Sequence, residues 1–76
     1  MNNFIVMPDG NAFSPAVIKA VTYRKGGVTV RDAQTRILTY IPTDNDEHGR
    51  LVRDLIVKAV NEGVKAAQPD WSFLEA

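Results

Sequence analysis

Residues 43–69 read TDNDEHGRLVRDLIVKAVNEGVKAAQP, and they fix the largest element of the fold. Thr43 and Asp46 stand at capping-box spacing, with aspartate a weaker partner there than glutamate or glutamine. Asp44, Asp46 and Glu47 fall where a helix dipole favours negative charge. Asp46/Arg50 and Asp54/Lys58 lie four apart with the acid first, the better orientation for a helical ion pair. Pro69 bars continuation, so the pattern predicts a helix over about 44–67. Gly63 is its weak point, costing roughly 1 kcal/mol relative to alanine. At about 100° per residue, Leu51, Val52, Leu55, Ile56, Val57, Ala59, Val60, Val64, Ala66 and Ala67 cover roughly 200° of the circumference. Only Arg53 interrupts them. A surface helix needs a stripe little more than about 100° wide. The helix is therefore expected to carry more apolar girth than one small sheet covers.

Upstream, the periodicity changes from helical to alternating. Phe4-Ile5-Val6-Met7 is rich in strand formers and is ended by Pro8-Asp9-Gly10-Asn11, a turn composition. Ala12-Phe13 can pair on the way back, and Ser14-Pro15 can cap one helical turn. Strands are expected over about 4–7, 17–24, 28–31 and 36–41. Lys25-Gly26-Gly27 is read as a hairpin with a primed turn. Asp32-Ala33-Gln34-Thr35 is the next reversal. The fold class is α+β: a small antiparallel meander of three or four strands with one C-terminal helix packed on it.

Past the helix, Asp70-Trp71-Ser72-Phe73-Leu74 sets large apolar groups in an apolar tail spanning 69–76. The tail either folds back over its own domain or joins the helix in an association surface, since tryptophan and phenylalanine are favoured interface anchors.

The chain has 76 residues and no cysteine, so one domain is expected, without disulfides or thiolate metal sites. No basic apolar leader and no membrane-length apolar run is present, and a cytoplasmic location is expected. Nine basic and nine acidic residues cancel, but unevenly. From Asn11 to Thr43 five basic residues face Asp32 alone, a net +4. From Asp44 onward seven acids face four bases, a net −3, and Asp9 supplies the last negative charge.

Asp44-Asn45-Asp46-Glu47-His48-Gly49 imitates the opening of a calcium loop. It fails at the fifth position, His48, and at the twelfth, Leu55, where a bidentate carboxylate is needed. Capping and the dipole already account for its acids. His48 is the only histidine, and no nucleophile is signalled near it. Asp9-Gly10 and Gly26-Gly27 lack phosphate-loop spacing. No metal, cofactor or enzymatic activity is expected.

The sequence order resembles that of several short bacterial and phage accessory proteins, without a diagnostic residue set. Two functional expectations follow. The first is a non-catalytic interaction module, a homodimer formed through Leu55, Ile56, Val60, Val64 and the tail residues Trp71, Phe73 and Leu74. The second is nucleic-acid binding through Arg24, Lys25, Arg31 and Arg36, with Tyr23 and Tyr40 as stacking groups. Overall neutrality weighs against the second, because nucleic-acid binders are usually basic as a whole.

Overall fold

The computed structural model describes residues 4–62 and 68–75. The chain forms β1 (Ile5–Val6), β2 (Ala12–Phe13), a 3-10 turn (Pro15–Val17), β3 (Ala20–Arg24), β4 (Gly27–Arg31) and β5 (Ile37–Pro42). Helix α1 (Asp46–Glu62) and a closing 3-10 turn (Ser72–Glu75) complete it. This is the expected α+β fold, and its strands divide into a β1–β2 hairpin and an antiparallel sheet of order β3-β4-β5.

Alternation along the strands sorts the two faces of the larger sheet. Val21 pairs with Val30 and Tyr23 with Val28, while Val28 and Val30 face Ile41 and Thr39 on β5. The core joins Val28, Val30 and Ile41 to Ile5 and Met7 of the hairpin segment, Ile18, and Val52, Ile56 and Ala59 of α1. The helix packs chiefly on β3 and less on β4. Asp9, in the hairpin turn, accepts the Thr39 hydroxyl of β5 at 2.7 Å. Helix and hairpin thus lie side by side on one face. The other face, carrying Thr22, Thr29 and Tyr40 in register, is uncovered.

Several expected boundaries shift, each for a local reason. Val17 to Lys19 is not strand: Ser14 Oγ accepts the Ala16 N–H at 3.3 Å, and the Val17 and Ile18 N–H groups bond back to Ser14 and Pro15. The helix begins at Asp46 because Asn45, not Thr43, is its cap, its Oδ1 accepting the His48 N–H at 2.8 Å. The Thr43 hydroxyl is buried without a partner. Neither expected four-apart ion pair forms: Asp46 accepts the Tyr23 hydroxyl and Asp54 pairs with Arg53 at 2.9 Å. The predicted helical turn beyond Glu62, with Gly63 and Val64, falls outside the described residues.

The hairpin between β3 and β4 also departs from expectation. Only Gly26 has positive φ, +99°, so the turn is not of a primed type, which needs positive φ at its first central residue. Gly27 belongs to β4, and steric room explains it. A β-carbon there would lie 2.7 Å from the Ile41 carbonyl oxygen and closer still to the Tyr40 ring. Tyr40 lies across this glycine and donates its hydroxyl to Gly26 O at 3.0 Å. On β5, a register shift opposite Val30/Arg31 turns Leu38 toward the core and leaves Ile37 outside, 58% exposed.

Candidate interaction site at the open edge of β3

A strand at a sheet edge presents unpaired N–H and C=O groups, and proteins usually blunt such edges. Here four strands have free edges; β2 offers only two residues, and the other three are treated differently. β1 is closed by the tail: Gln68 Nε2 donates to Phe4 O at 2.7 Å, and Gln68 Oε1 accepts the Val6 N–H at 3.0 Å. Trp71 Nε1 donates to Val6 O at 2.7 Å. One amide side chain and one indole thus occupy the positions that a neighbouring strand would take. β5 is blunted by its register shift and by Pro42, which has no N–H.

β3 carries neither device. Its five residues hold unbroken register with β4, and it contains no proline. Among the described residues, no group outside β4 hydrogen-bonds to the backbone of Ala20–Arg24. Beside it runs a groove of about 180 Å³, lined by Ile18, Lys19, Ala20, Val21, Val57, Val60 and Asn61. That is below the usual range for small-molecule sites, about 300–1,000 Å³, and suits a few side chains from an extended segment.

The groove exists because α1 has more apolar flank than the sheet covers. Gly49, Val52, Ile56 and Ala59 are the buried stripe. Val57, on one side of that stripe, is 39% exposed, and Leu51, on the other, is 43% exposed. The helix seats closely against β3 because Gly49 admits the Tyr23 ring: a β-carbon at Gly49 would lie 2.7 Å from Tyr23 Cδ1. The hydrogen bond to Asp46 holds the Tyr23 hydroxyl above the ordinary tyrosine range, burial adds to this, and nearby Arg50 and Arg53 partly offset it.

Charge around this edge is mainly positive. Lys19 lies at one end of β3, Arg24 and Lys25 at the other, and Arg50 and Arg53 approach from the helix. Asp54 pairs with Arg53, so those two charges offset each other, and Asp46 accepts the Tyr23 hydroxyl, which leaves Lys19, Arg24, Lys25 and Arg50 as the excess.

The residues singled out from sequence scatter across the molecule. Ile56 is wholly buried in the core, so it supports the fold and is not a contact residue; Leu55 and Val60 are half-buried. Trp71, Phe73 and Leu74 pack on their own core, and Val64 lies outside the described residues. Of the basic set, Arg24 and Lys25 are exposed at the hairpin tip. Arg31 Nη1 donates to Thr35 O at 2.9 Å, and Arg36 Nε meets Asp32 Oδ2 at 3.1 Å. Those two arginines brace the turn in which Thr35 adopts φ of 64°. Burial works to raise the Asp32 carboxyl, but hydrogen bonds from the Arg36 and Gln34 backbone and the Arg36 guanidinium outweigh it and hold the carboxyl low. Tyr23 is consumed by the helix start, which leaves Tyr40 as the tyrosine on the open face.

His48 is half-buried, edge-on to Phe73 with ring centroids 5.3 Å apart. Among the described residues no three of His, Cys, Asp and Glu cluster to hold a metal, and no helix is long and apolar enough to cross a membrane. A second hollow of about 510 Å³, between the 3-10 turn and the β4–β5 turn, is lined in part by Asp32 and Arg36, which satisfy each other. Sequence reading missed Val57 and β3 as a pair. A valine at the margin of the apolar stripe was the available signal, and nothing local marked the strand as an edge. No protein family, characterised protein or solved structure matches this chain.

Proposed function

We propose that this chain is a small non-catalytic protein-interaction module that engages its partner along β3 and the adjoining flank of α1. One observation carries the reading: β3 is left regular and unpaired beside an apolar groove, while the edges of β1 and β5 are closed or blunted. Backbone pairing at an open edge supplies affinity, and adjacent side-chain pockets supply specificity. The tail, expected as part of the contact, is engaged with β1, so the surface on offer is narrower than the helix and tail together.

A photoreactive phenylalanine analogue placed at Val57 tests this in an extract of the native host, with the same group at Lys58, about 100° further round the helix, as control. The expected result is a discrete adduct with a polypeptide, another protein or a second copy, from position 57 and not from 58. Absence of any protein adduct at 57 removes the reading.

A further inference from the structure

We infer that the occupant of the β3 edge is an extended acidic segment of another protein, added as a fourth strand with alternate apolar side chains set against Val57 and Val60. This rests on the interaction reading above and specifies its partner.

Charge selects among the candidates. Antiparallel pairing of β3 with a second copy, centred on Thr22, sets Lys19 opposite Lys25 of that copy at both ends and brings each Arg24 beside the same basic cluster. Like charges facing across strands oppose pairing, and lysine on an edge is a usual guard against it. The same residues attract a strand bearing carboxylates. Lys19, Arg24 and Lys25 lie along the strand and Arg50 approaches from the helix, outnumbering Asp46, while Arg53 and Asp54 offset each other. Val57 and Val60 between them offer an apolar contact, as alternation in an added strand requires. A nucleic acid would satisfy the charge but would leave the backbone edge and the valine-lined groove without complementary groups.

The test uses the full chain, isotope-labelled, at low salt. It is titrated with a pool of short end-blocked peptides alternating glutamate or aspartate with valine, isoleucine or leucine. A matched pool carries lysine in place of each acid. The acidic pool is expected to shift the amide resonances of Ala20–Arg24, Val57 and Val60, binding about tenfold or more tightly than the lysine pool, with the difference shrinking as salt is added. Lys19→Glu with Arg24→Glu should reverse the preference. Both positions are exposed, and retained spectral dispersion verifies the fold. Val57→Glu, a second and independent variant, should abolish acidic-peptide binding with the fold intact. Equal binding of both pools, shifts confined to the open sheet face, no binding by any acidic peptide, displacement by a single-stranded oligonucleotide, or a concentration-dependent dimer broken by Val57→Glu would each overturn the inference. If the photoreactive group at 57 still captures a protein while the acidic pool fails, the acidic strand is wrong and the interaction module stands. If both fail, both are wrong.

Discussion

β1 and β3 are the two strands of this protein whose edges meet contrasting fates. β1 has two residues and little to pair with, yet the Val6 N–H and carbonyl and the adjoining Phe4 carbonyl are met by Gln68 and Trp71. β3 has five residues in unbroken register and no such cover among the described residues. A chain of this size buries too little surface to waste apolar side chains. Directing the tail to the weaker strand stabilises a hairpin that would be marginal alone, since two short strands rarely hold in water. The stronger strand tolerates an open edge because β4 on one side and α1 across its face already hold it. The lesson is that the edge left bare is the one that can remain ordered while bare.

The contrast can be broken from the β1 side with the largest effect. Trp71→Ala removes an indole that packs on the core and bonds Val6 O, and it should cost about 3 kcal/mol in urea unfolding. It should also raise hydrogen exchange at β1 and β2 before β4. A loss confined to the tail, with β1 still protected, would show that the edge does not depend on it.

From the β3 side, Gly49→Ala forces a methyl group into the Tyr23 ring and should cost about 2 kcal/mol, by lifting the start of α1 off the strand. Chemical denaturation measures the cost, and tyrosine fluorescence reports the displaced ring. An unchanged midpoint would mean that the helix seat is looser than the distances require.

Gln68→Ala sharpens the comparison, because it deletes the strand-like pairing without opening a core cavity. The expected loss is about 1 kcal/mol, the range for a hydrogen bond whose partners regain water. Gln68→Asn, one methylene too short to span both groups, should lose nearly as much.

The smallest effect is that of acid. The Asn11 N–H and then the Thr39 hydroxyl hold the Asp9 carboxyl below its ordinary value of 3.8, with burial acting against them. The Ser72 backbone and side chain do the same for Asp70. A carboxyl depressed in the folded state contributes stability that is complete above the ordinary value and disappears as pH falls through the folded one. Thermal midpoints should therefore hold down to about pH 4 and decline below it. Asp9 and Asp70 lie on the β1 side, and Asp32, likewise held low, lies in the β4–β5 turn, so amide exchange should accelerate in those two turns and the tail before it does in β3. Asp9→Asn should flatten that decline, and a decline starting near neutral pH would point to some other group.

Much of this architecture was legible in local pattern. Helical periodicity from Leu51 to Val60 and the acidic start named the helix, and alternation with turn residues between the runs named the strands, because periodicity and turn chemistry act over a few residues. The wide apolar face was legible too, and it does leave Leu51 and Val57 uncovered. Local pattern misled where several groups competed for one role. Asn45 took the cap expected of Thr43, and Tyr23 and Arg53 took the acids expected to pair along the helix.

By itself, then, the sequence determined the element types, their order and the excess of apolar surface on the helix, all of which follow from spacing along the chain. Only the tertiary structure decided that Gly27 and Gly49 are there to admit the rings of Tyr40 and Tyr23, that the tail closes β1, and that β3 keeps its edge open. Those are contacts between residues far apart in the chain. They depend on which surfaces meet when the layers close, and no local spacing encodes that.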